Sequence, residues 1–169
     1  LAVATPALAA PATYVLDGGH LAVMVKYDRD ALVGGHDHIL WTDDYSGTVT
    51  WDPDDLSACR VQIAFPVQTL TVDGPKRRAY GLEGTTSDGN KESIKKNALG
   101  RKQLEAETYP DITYNATQCE KAGDKVKVTG TINVHGEDKT FTTMMDTSAD
   151  GQTFTGKGSF TATHEDFGM

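Results

Sequence analysis

The sequence predicts an all-β protein of antiparallel strands, an up-and-down barrel or a sandwich, with one helical excursion near residues 87–100. Three observations carry this expectation. Apolar and polar residues alternate with period two in segment after segment, the pattern of strands with one dry and one wet face. Clusters of Asp, Pro and Gly punctuate that alternation as turns. Seventeen glycines, many threonines and few leucines favour strands over helices. The 169 residues suffice for one domain with a real core, and 38% hydrophobic content separates the chain from disordered ones. A net charge of −8 argues against the chain as a whole binding nucleic acid.

Residues 1–12, LAVATPALAAPA, are small and apolar, and Ala7-Leu8-Ala9 has the A-x-A form of an export cleavage site. They read as the remnant of a signal peptide, with a flexible Ala-rich segment as the alternative. The folded domain then covers residues 13–169. No other apolar run approaches the ~20 residues that span a bilayer. A soluble bacterial protein, periplasmic or secreted, is expected.

The strands follow in order. Leu21, Val23, Val25 and Tyr27 alternate with His20, Met24 and Lys26, and Val49 and Trp51 with Thr48 and Thr50. Val61, Ile63 and Phe65 alternate with Arg60, Gln62 and Ala64. Ile112, Tyr114 and Ala116 alternate with Thr113, Asn115 and Thr117; Val126, Val128, Ile132 and Val134 alternate with Lys127, Thr129, Thr131 and Asn133. Phe141, Met145, Phe154, Phe160 and Ala162 complete the apolar set. Turns fall at Asp52–Asp55, Ala122–Asp124, His135–Asp138 and Ala149–Gly151, so the C-terminal strands are near ten residues long.

Between about 73 and 110 the alternation stops. Ser87 can cap a helix that Gly100 ends, with Ile94, Ala98 and Leu99 as its apolar stripe. Eight of the sixteen basic residues lie in the 27 positions from Lys76 to Lys102, leaving +5 there and −13 elsewhere. This is either a solvated helix with a basic loop or a rim that attracts an anionic head group or membrane surface. Arg77, Arg78, Lys95 and Lys96 are the head-group candidates.

Cys59 and Cys119 are the only cysteines. An oxidising compartment permits a bond between them, and closing so long a loop would contribute on the order of 4 kcal/mol. The simple strand parities place Cys59 inward and Cys119 outward, which weighs against it. The pairing stays open at this point.

Gly35-His36-Asp37-His38 poses a separate question. In a strand, His36 and His38 face the same side and can turn two imidazoles to one divalent metal or haem-type group. A stable site needs three or four ligands, and His20, His164, Asp37 or Asp43 would have to supply the rest. The alternatives are polar residues at a barrel rim and a catalytic pair. The chain holds no GxSxG and no HExxH, which disfavours catalysis. His135 reads as a structural turn residue.

The order of motifs resembles the YceI-like domains. The matching pieces are Tyr14-Val15-Leu16-Asp17 with His20, Trp51-Asp52-Pro53-Asp54-Asp55, Tyr109-Pro110-Asp111-Ile112-Thr113-Tyr114, Val128 through Gly136, Gly158-Ser159-Phe160, and Asp166-Phe167-Gly168. The resemblance implies an extended, lipocalin-like antiparallel barrel with a long apolar interior. It implies an exported protein that binds polyisoprenoid or quinone-like lipids or other amphiphiles, with no enzymatic chemistry. It also implies a strand beyond Asp166-Phe167-Gly168, so the domain is expected either to lack that strand or to close with a partner's.

The inward positions then become the ligand-binding candidates: Leu21, Val23, Val25, Tyr27, Val49, Trp51, Val61, Ile63, Phe65, Ile112, Tyr114, Val128, Ile132, Phe141, Phe154 and Phe160. The leading expectation is an exported binding protein that holds an elongated apolar or isoprenoid-type ligand, for lipid or quinone transport or storage. A periplasmic metal-binding protein using His36, His38, His20 and His164 is the alternative. An accessory subunit of a cell-envelope complex, with oligomeric or membrane-surface contacts, is the third.

Overall fold

The computed structural model describes residues 11–27, 35–150 and 152–169. The N-terminal export-like segment lies outside the described residues but for its last two positions. In chain order the elements are β1 (Ala12–Val15), β2 (Leu21–Val25), β3 (His38–Thr42), β4 (Ser46–Trp51), β5 (Arg60–Pro66) and β6 (Thr71–Val72). They continue as α1 (Lys76–Ala79), α2 (Asp88–Ala98), β7 (Asp111–Ala122), β8 (Lys125–Val134), β9 (Glu137–Ala149) and β10 (Phe154–Lys157). Every strand pairing is antiparallel. A seven-stranded sheet runs β1-β4-β5-β7-β8-β9-β10, and a smaller one runs β2-β3-β6.

The long sheet curls into a nearly closed barrel. Its first and last strands do not pair. They meet through Phe154 of β10, whose ring centroid lies 5.7 Å from Tyr14 of β1 and 5.3 Å from Trp51 of β4. Aromatic burial thus does at this seam what hydrogen bonds do elsewhere.

Two apolar clusters fill the two ends of the interior. One joins Val49, Trp51, Cys59, Ala116, Cys119, Val126 and Val128. The other joins Leu40 and Val72 of the small sheet to Phe65, Val67, Leu70, Ala106, Ile112, Val134 and Phe167. The helix closes this second end. Ser87 accepts from the Asn90 amide as its N-cap, and Ile94, Ala98 and Leu99 pack on the cluster, as their spacing predicts.

Three departures from the alternation have local causes. β7 carries a bulge between Ala116 and Gln118, which inserts one residue and reverses parity beyond it. Cys119 therefore faces inward, not outward, and is bonded to Cys59. The last β-run ends early: β10 stops at Lys157, so Phe160 and Ala162 lie in irregular chain. Tyr27 likewise lies past the end of β2.

Candidate functional site

The lining of the barrel differs from strand to strand. On β8 the inward Val126, Val128, Gly130 and Val134 are buried, with Ile132 half-buried. On β9 the inward row of Lys139, Phe141, Thr143, Met145 and Thr147 is only half-buried. The cause is the length mismatch beyond it. β9 has thirteen residues and β10 four, so the ladder covers only Asp146–Ala149. Along the rest runs the irregular segment after Lys157, held by a hydrogen bond from Thr143 Oγ1 to the Ser159 carbonyl. Phe160 stacks on Phe141 with centroids 4.5 Å apart, and Phe141 in turn lies 6.3 Å from Phe167.

An apolar strip results, from Phe160 and Phe141 through Met145 to Phe154 and Tyr14. Most of the expected lining residues join it or the clusters beneath. Val49, Trp51, Phe65, Ile112 and Val128 are buried; Leu21, Val25, Ile132 and Phe141 pack on one cluster, and Val61, Tyr114 and Phe154 on the other. Ile63 and Tyr27 are half-buried. Val23 and Phe160 depart from the expectation: they are 54% and 43% exposed. Val23 shares its face with buried Leu40 but sits on an edge strand, and Phe160 is off the sheet altogether. Two cavities of about 450 and 230 Å³ lie outside this interior. The first is lined by the Arg78 to Gly84 loop, the second by outward side chains including Thr48, Arg60, Gln62 and Asn115.

The basic excursion divides. Arg77 Nη1 donates to Asp73 Oδ1 at 3.1 Å and to the Asp37 carbonyl at 2.8 Å, and its Nε to the Glu83 carbonyl at 3.0 Å. Lys95 Nζ donates to the Gln68 carbonyl at 2.7 Å. Both head-group candidates therefore hold the excursion in place. Arg78 and Lys96 are exposed.

The histidines do not converge. His36 precedes β3 and is exposed, so the same-face geometry of a strand does not reach it. His38 opens β3 and its Nδ1 bonds Asp73 Oδ2 at 2.9 Å. Asp37 accepts from the Tyr27 amide through Oδ1. His20 is on the other flank, where Nε2 bonds the Tyr80 hydroxyl at 2.7 Å and Nδ1 accepts from Lys76 Nζ at 3.3 Å. Burial and the Lys76 charge hold its pKa below the ordinary value, against the opposing pull of Asp43. His164 is exposed near the C-terminal turn. Among the described residues no group of three or more His, Cys, Asp or Glu is placed to hold a metal ion.

Two residues escaped the sequence reading. Asp73, fully buried, is the hub of the excursion: it accepts from the Ile39 amide, His38, Arg77 and Thr86. Its signal in the sequence is the Asp73-Gly74-Pro75 turn signature. Lys139 is the other, a charge set on the inward parity of Phe141 and Met145.

A family model for the YceI-like domain matches residues 14–169. Among solved structures, Burkholderia cenocepacia BcnA superposes with a TM-score of 0.57 at 20% identity, covering 86% of this chain and 74% of that one. A mutant Campylobacter jejuni YceI protein, solved with a monobromobimane guest, superposes with a TM-score of 0.50 at 15% identity. There the match covers 74% of this chain and 63% of that one, so this chain spans less than two thirds of the Campylobacter protein. At these identities the likeness concerns the fold. No curated protein matches the chain in sequence.

Proposed function

The chain belongs to the YceI-like domain family, and on that footing we propose that it is an exported binding protein without catalytic chemistry. It holds an elongated apolar or isoprenoid-type ligand inside the barrel, for lipid or quinone transport or storage. The observation that carries this reading is the half-buried inward row of β9, apolar at Phe141 and Met145 and flanked by Phe154 and Phe160. Each methylene that leaves water against such a strip contributes ~0.8 kcal/mol, so a long chain binds by burial alone. The Cys59–Cys119 bond supports export, because such bonds persist in oxidising compartments. Native mass spectrometry of protein made in its own host, followed by solvent extraction, tests the proposal. It expects a co-purifying apolar molecule; a single apo mass with nothing extractable would count against it.

The edge of β9 favours a second reading. Among the described residues, from Glu137 to Met145 that strand has a ladder partner, β8, on one side only. An envelope partner or a second copy could add a strand there by displacing the irregular segment after Lys157. Size-exclusion chromatography with light scattering separates the two: a strict monomer removes the main support for the accessory-subunit reading.

A further inference from the structure

Tyr114, Ile132 and Lys139 form one cross-strand row on the inner wall. Tyr114 of β7 stands opposite Ile132 of β8, and Ile132 opposite Lys139 of β9. The Tyr114 phenol lies over Gly130: a Cβ there would come within 2.6 Å of its hydroxyl oxygen. Gly130 stands opposite Phe141, two residues from Lys139 on the same face. Neighbouring strands are about 5 Å apart and alternate residues about 7 Å apart. One small polar group above Ile132 and Phe141 would therefore meet the hydroxyl and lie within reach of a Lys139 side chain extended towards it.

Both groups are available. Tyr114 makes no hydrogen bond to a described residue, and burial alone pushes its pKa up. Lys139 makes none either; its charge acts on Asp166, whose carboxylate already accepts from the Thr163 amide and hydroxyl. Burying a phenol on an apolar wall is unfavourable unless something pairs with it, and Lys139, half-buried in the same row, brings the nearest cation.

We propose that this row is the head-group site, and that the guest is a long apolar chain ending in a carboxylate. One phenol donor and one cation complement one carboxylate, with the tail running along Phe141 and Met145 towards Phe154. This rests on the barrel-binding reading and moves the head group from the basic excursion to the wall.

The test compares a fluorescent polyene fatty acid with its methyl ester. The acid should bind the native protein at least about tenfold more tightly, the effect of charge-assisted hydrogen bonds. Tyr114→Phe and Lys139→Met, each checked for an unchanged thermal midpoint, should each reduce that preference, and together abolish it. Arg78→Met, on the exposed rim, should leave it intact. Equal binding of acid and ester, or a preference lost only in Arg78→Met, overturns the head-group site while ester binding upholds the apolar-guest reading. If neither probe binds, both proposals fall.

Discussion

His38 Nδ1 lies 2.9 Å from Oδ2 of Asp73, a carboxylate with no exposure to solvent. Arg77 Nη1 and the Thr86 hydroxyl share the same carboxylate, at 3.1 and 2.6 Å. The hub thus ties β3 to α1 and to the loop just before α2. Asp73→Ala should cost about 3–5 kcal/mol, because it strands a buried cation and several donors. Urea midpoints check this, and a loss below about 1 kcal/mol would mean water replaces the carboxylate.

The same residue sets an acid limb. Burial would raise the Asp73 pKa, but bonds from Thr86, Ile39, His38 and Arg77 outweigh it and hold it at about 2, against an ordinary 3.8. A depressed carboxylate contributes stability that is present above its unfolded pKa and lost as pH falls through its folded one. Stability should therefore decline between about pH 4 and 2 by about 2 kcal/mol from this group. Asp73→Asn should lack that component when unfolding is followed across the same range.

The Cys59–Cys119 bond spans 60 residues of sequence. The chain-entropy model gives such a loop about 4 kcal/mol. Cys59→Ser with Cys119→Ser should lower the denaturant midpoint by that order, and reduction of the native protein should match it.

Gly130 is fixed by the ring above it. A Cβ at this position would stand 2.6 Å from Tyr114 and 2.8 Å from the Ala116 methyl. Gly130→Ala should cost about 1–3 kcal/mol through overpacking and displace the phenol. Thermal unfolding gives the first effect, and a shifted tyrosine ring resonance the second.

What the sequence made legible follows from which contacts are local. The long strands and the helix from Ser87 onward obey periodicities that short windows display, and their packed faces match. The bulge at Ala116/Gln118 is different. Nothing in Ala116-Thr117-Gln118 announces an extra residue, yet it turns Cys119 inward and permits the disulfide. β3 was hidden because Ile39 and Leu40 are both buried, so its faces do not alternate. Arg77 and Lys95 looked like a recognition rim because sequence shows a charge but not the carbonyl or carboxylate it meets. The inward row on β9 could be read from parity, whereas its partial exposure depends on how short β10 is.

Photo-crosslinking with a long-chain alkyl diazirine, followed by peptide mapping, tests the barrel as a container most directly. Labels should concentrate on the inward Phe141, Met145 and Phe154, and fall away in Phe141→Arg. Labels confined to the outward Val15 and Met144, which are 74% and 44% exposed, would contradict an interior site.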